Sequence, residues 1–117
     1  MVDNEAGLAA ARRALETERV RLVADLDETT VQPPDAMTYG SQAASASQVF
    51  EQQRVLALRE RTQNQLDQVE AALSRVAEGS FGRCMRCGKP IAPERLEALP
   101  WASHCIDCQR LIGSGRA

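Results

Sequence analysis

Aromatic residues are nearly missing from this 117-residue chain, which holds one Trp, one Tyr and two Phe. A large conventional core is therefore excluded, because aromatic side chains supply much of the area that such cores bury. Histidine is rarer still: His104 stands alone. Serines gather at 41, 45 and 47 with no neighbouring base, and no glycine-rich loop of the phosphate-cradling kind is present. An enzyme is not expected. No apolar run approaches ~18 residues, so no membrane-crossing helix is predicted. The start lacks the charged-then-apolar block of a secretory leader, and a cytoplasmic chain is expected. Charge of neither sign dominates, the formal net value being −2. Wholesale attraction to nucleic acid is not indicated, and direct sequence-specific DNA binding is not expected.

What remains is mostly Ala, Leu, Glu, Gln and Arg, all good helix formers. A single domain is expected at this length. Asp3 or Asn4 can cap a first helix running to about Glu28. Leu8, Ala11, Leu15, Leu22 and Leu26 repeat at helical steps and give one narrow apolar stripe, suited to a single partner helix. Glu18 falls in that seam and weakens it. Thr29, Thr30, Val31, Pro33 and Pro34 break the pattern, and Gly40 and Ser41 add turn character. Residues of about 29–44 therefore read as the tip loop of a hairpin, with Asp35, Met37 and Tyr39 in it.

A second helix can start at Ser45, where Ser45 and Gln48 fit a capping box, and run to about Ala77. Its length would be roughly 48 Å, against about 36 Å for the first helix. Leu66, Val69, Leu73 and Val76 continue the seam; Val49, Val55, Leu56, Leu58 and Thr62 carry a looser version toward the tip. The spacing predicts an antiparallel coiled pair. The mismatch in length leaves two solutions: the tip loop folds back along the second helix, or that helix starts later than Ser45. Gly79 is a natural stop.

The stretch after it holds all four cysteines, as two Cys-x-x-Cys pairs: Cys84 with Cys87, and Cys105 with Cys108. Two such pairs separated by roughly 15–20 residues read as a zinc site. Zinc prefers thiolates, and four of them complete a tetrahedron with no position left for water, so the ion is expected to be structural. Arg83, Arg86, Lys89, Arg95 and Arg110 lie nearby in sequence and can offset the thiolate charge. Two disulfides, a redox pair, or His104 replacing one sulfur are the competing readings. They lack, respectively, an oxidising compartment, a βαβ setting and a vacant ligand position.

The run from Gly79 through Phe81, Gly82, Cys84, Cys87, Gly88, Pro90 and Ile91 resembles the DksA/TraR family zinc finger. So do Arg95, Leu96, Glu97, Ala98, Leu99 and Pro100, followed by Cys105, Ile106, Asp107, Cys108 and Gln109. The resemblance implies a mainly α protein, with a long antiparallel helical hairpin over 1–79 attached to a small four-Cys zinc module over 80–112. Residues 113–117 would be a flexible tail. It further implies a bacterial transcription regulator that binds RNA polymerase by inserting the hairpin into the secondary channel.

An acidic tip built from Asp25, Asp27, Glu28 and Asp35 could reach basic residues or a Mg²⁺ environment there. One departure is visible. Relatives with the best-described activity carry Asp-x-x-Asp-x-Ala at the tip; counted back from Cys84, that position falls on residues 41–46, where only the last alanine matches. A different reading is a zinc-stapled helical adaptor that binds another protein or a second copy of itself. A third is nucleic-acid contact through the arginines and lysine around the cysteines, which would weaken steeply with salt.

Overall fold

The computed structural model describes residues 5–28 and 42–113, with backbone alone for 42–45. Four helices follow in order: α1 over Glu5–Glu28, α2 over Gln42–Glu78, α3 over Pro93–Ala98 and α4 over Ile106–Gly113. The Cα radius of gyration is 19.2 Å. A compact domain of this length would have roughly 13 Å, so the molecule is a rod with a knob at one end.

α1 and α2 pack side by side as an antiparallel pair. Two bonds across the seam fix the register. Gln65 Nε2 donates to Glu18 Oε1 at 3.1 Å, and Arg59 Nη1 donates to the Leu26 carbonyl at 2.9 Å. As α1 advances from Glu18 to Leu26, its partner on α2 recedes from Gln65 to Arg59. Leu15 and Leu22 are buried against Leu66, Val69, Ala72 and Val76, while Leu8, Ala11, Leu26 and Leu73 flank them. The narrow stripe thus does what its width allows, which is to serve one neighbour.

The helix lengths differ more than the sequence indicates. α2 has 37 residues, about 55 Å, and begins at Gln42. Ser45 lies inside it, so the capping-box start at Ser45 is not used, and a later start is excluded. The register sets Arg59 beside the last turn of α1. Everything in α2 before Arg59, roughly 25 Å of helix, runs past the end of α1. Val49, Phe50, Leu56 and Leu58 on this stretch are exposed. Met37, Tyr39 and residues 29–41 of the expected tip loop lie outside the described residues, whereas 42–44, expected as loop, are the first residues of α2.

The base of the rod is where the core is thickest. Phe81, Cys84, Ile91, Leu96, Ala102 and Cys108 join the buried hairpin residues in one continuous cluster, with Leu99 and Trp101 against its edge. α2 ends in a Schellman turn. Gly79 takes φ +83°, and the Ser80 N–H returns to the Arg75 carbonyl at 3.0 Å. This turn leads the chain straight into the cysteine-bearing knob. No helix among the described residues is long and apolar enough to cross a membrane.

Candidate metal centre

Each Cys-x-x-Cys pair is held by its own backbone. In the first, the Cys84 N–H bonds the Lys89 carbonyl at 2.8 Å and the Gly88 N–H returns to the Cys84 carbonyl at 2.9 Å. Gly88 sits at φ +76°, a conformation that a side chain resists, which explains why the turn carries glycine there. The Ile91 N–H bonds the Gly82 carbonyl at 2.7 Å, and Arg83 pairs with Pro90 in an isolated antiparallel bridge. The second pair uses a helix start. Cys105 precedes α4, Cys108 lies in its first turn, and the Gln109 N–H bonds the Cys105 carbonyl at 2.9 Å. One bond ties the two pairs together, from the Met85 N–H to the Ser103 carbonyl at 2.8 Å.

These constraints bring four free thiols together. The Sγ atoms of Cys84, Cys87, Cys105 and Cys108 all lie within 4.8 Å of one another, and Cys87 and Cys105 are 3.8 Å apart. A tetrahedron with Zn–S bonds of about 2.3 Å has S–S edges of about 3.8 Å, so the cage matches zinc in size as well as in donor type.

Electrostatics agree. Burial pushes the Cys84 thiol up, but backbone N–H groups of Cys87, Cys105 and Arg86, with the Cys87 side chain, bring it down to about 5. At Cys108 the Arg86 guanidinium pulls down, while burial and the thiols of Cys105, Cys84 and Cys87 push up, leaving it at about 11. Four sulfurs this close cannot all ionise without a cation among them. A divalent ion resolves the conflict. Of the basic residues near the cysteines, Arg86 reaches a sulfur, with Nη1 3.7 Å from Cys108 Sγ. Arg95 instead donates from Nε to the His104 carbonyl at 3.1 Å, which braces the approach to Cys105. His104 points elsewhere, its Nδ1 2.9 Å from Ser103 Oγ.

The acids proposed for the tip are not gathered into a site. Asp25 pairs with Arg21 at 3.2 Å, and Asp27 and Glu28 are exposed in the last turn of α1. They stand beside Arg59 on the shaft, short of the far end of α2. Asp35 lies outside the described residues. The sequence reading overlooked Arg75, which is buried at the junction of α2 with the cysteine module. The signal available was its spacing from Gln68 and Ala71, which puts all three on one helical face.

Residues 79–112 match the prokaryotic dksA/traR C4-type zinc finger. The chain is 38% identical over 109 residues to the RNA polymerase-binding transcription factor DksA of Escherichia coli K12, covering 92% of this chain and 72% of that protein. The protein of the same name from Haemophilus influenzae is 32% identical over 109 residues, covering 92% of this chain and 75% of its own length. The solved structure of transcription factor DksA2 from Pseudomonas aeruginosa superposes with a TM-score of 0.80 at 31% identity, covering 98% of this chain and 90% of that one.

Proposed function

The chain belongs to the family of DksA transcription factors, and on that footing we propose that it binds bacterial RNA polymerase and regulates transcription. The observation that carries this reading is the reach of the likeness. It extends over 92% of the chain, rod as well as knob, and so covers much more than the cysteine spacing. Membership favours this role over an adaptor for some other protein.

In this reading Cys84, Cys87, Cys105 and Cys108 hold one structural zinc. The ion supplies four bonds that lock the knob, and the knob fixes the base of the hairpin. A rod this thin suits insertion into the secondary channel, as the family resemblance implies. The role is non-catalytic and cytoplasmic. Asp25, Asp27, Glu28 and Asp35 are the acids assigned to face the partner in this reading, and residues 41–46 depart from the Asp-x-x-Asp-x-Ala of relatives with the best-described activity.

The test is direct binding of the zinc-loaded full chain to core RNA polymerase. Comigration that is lost on deleting residues 29–44 is expected; absence of any complex overturns the assignment. Unchanged effects on transcription after Asp25→Ala with Asp27→Ala would remove the acids from the mechanism and leave the binding intact.

A further inference from the structure

The part of α2 that outruns α1 has two distinct faces. One continues the line of the seam, and its residues Gln48, Gln52, Val55 and Arg59 are half-buried. The other lies roughly 130° away around the helix. It is the row Ala46, Val49, Phe50, Gln53, Leu56 and Ala57, all exposed. Val49 and Leu56 are 52% accessible and Phe50 is 77% accessible. Steps of three and four residues put all six on one face. A longer α1 would pack on the first face and leave this one bare, so the row is not seam left uncovered by a short helix. It also stops where the paired shaft begins. On the same face Glu60, Asn64 and Asp67 follow, exposed and polar. Glu51 and Arg54, beside the row, pair with each other at 3.8 Å. Exposed apolar residues are ordinary when scattered, but a contiguous strip rimmed by polar groups marks an interaction surface.

We propose that this strip is a contact surface for RNA polymerase, and that it holds the partner by burying apolar area, with Phe50 as its largest side chain. The inference rests on the polymerase reading above and adds to it a surface and a chemistry. The strip lies on the section of the rod that projects farthest from the cysteine module, so it enters a channel ahead of the paired shaft. Its six residues carry no charge, which makes the contact apolar and not ionic. Aromatic anchors carry a large share of the energy of such interfaces. A second copy of the chain is a poorer occupant. The strip is about 17 Å long and one helix face, about 10 Å, wide. Two copies joined through it alone would bury far less than the roughly 1,200 Å² of the smaller stable complexes. A partner that encloses the rod adds the remaining area along the shaft.

The experiment is an equilibrium titration of core RNA polymerase with the zinc-loaded full chain, wild type against Val49→Ser combined with Phe50→Ser. The double variant should bind more weakly by about tenfold or more. Far-UV circular dichroism and an unchanged melting temperature establish that it is folded. The loss should be equal at low and high sodium chloride, because screening acts on charges and not on apolar burial. Val20→Ser, at an exposed valine on the shaft, should bind like wild type. A smaller loss in the folded double variant overturns the proposal and leaves the polymerase reading standing. So does a loss confined to low salt, or an equal loss in Val20→Ser. Wild type that fails to bind polymerase overturns both. Sedimentation of the free chain covers the other occupant: a wild-type dimer that the double variant abolishes would assign the strip to a second copy and overturn the proposal.

Discussion

Gln65 reaches across the hairpin to Glu18, and the carboxylate that interrupts the apolar seam of α1 is thereby satisfied from the opposite helix. Arg21, one turn on, pairs with the same carboxylate from the solvent side. Gln65→Ala removes the inward partner and leaves a half-buried carboxylate. The expected loss is about 1 kcal/mol in urea denaturation. Glu18→Ala combined with Gln65→Ala should cost less than the two single changes together, because the second change has no bond left to break. Strict additivity in that cycle would show that the bond contributes nothing.

Stability should be unevenly distributed along the rod. Leu15 is fully buried and lies at the centre of the seam, so Leu15→Ala should cost about 2–5 kcal/mol. Phe50 is 77% exposed on the part of α2 that outruns α1, and Phe50→Ser should change stability by less than about 0.5 kcal/mol. Matched denaturation curves of the two variants make the comparison. Similar losses in both would mean that the far half of α2 is packed as tightly as the base.

The end of α2 offers a purely backbone test. An added Cβ at Gly79 would meet nothing within 4 Å, so its substitution brings no collision. Its φ of +83° remains, and an L residue pays for that conformation. Gly79→Ala should destabilise by roughly 1–2 kcal/mol and Gly79→Asn by less, since asparagine tolerates the left-handed region. Thermal melts of the two variants check the order; alanine equal to or better than asparagine would contradict the turn described above.

Much of this architecture is written in local pattern. Leu15, Leu22, Leu66, Val69 and Val76 are spaced for one seam, and they are the residues that form it. The four cysteines declare their own cage, because zinc chemistry tolerates few alternatives to that spacing. Other features were not legible, for identifiable reasons. Ala72 is too small to stand out in a chain full of alanine, yet it is fully buried. The start of α2 at Gln42 escaped because alanine and glutamine propagate a helix upstream of a capping box that is never needed. α4 escaped because its residues read first as metal ligands, although the turn after Cys105 continues as helix. Arg75 looks like any surface arginine until the cysteine module is folded over it.

Removing the metal should separate the two halves of the molecule. Zinc in small finger modules contributes roughly 10–16 kcal/mol at neutral pH, more than a knob of this size can replace by packing. The hairpin contributes buried residues of its own, Leu15, Leu22, Leu66 and Val69, to the continuous cluster. A chelator should therefore leave most of the far-UV helical signal while Trp101 fluorescence shifts to the red. Collapse of both signals together would mean that the hairpin cannot stand without its base. The pH dependence has a definite sign. In the metal-free cage the Cys84 thiol, at about 5, is already ionised at pH 7, whereas Cys108, at about 11, is protonated. Binding zinc converts every sulfur to thiolate, so protons must leave, that of Cys108 among them. Affinity should then rise with pH through the neutral range and fall on acidification. Calorimetry in buffers of different ionisation enthalpy counts the protons released. A count of zero at pH 7 would mean that the sulfurs are already ionised before the metal arrives, which the distances within the cage oppose.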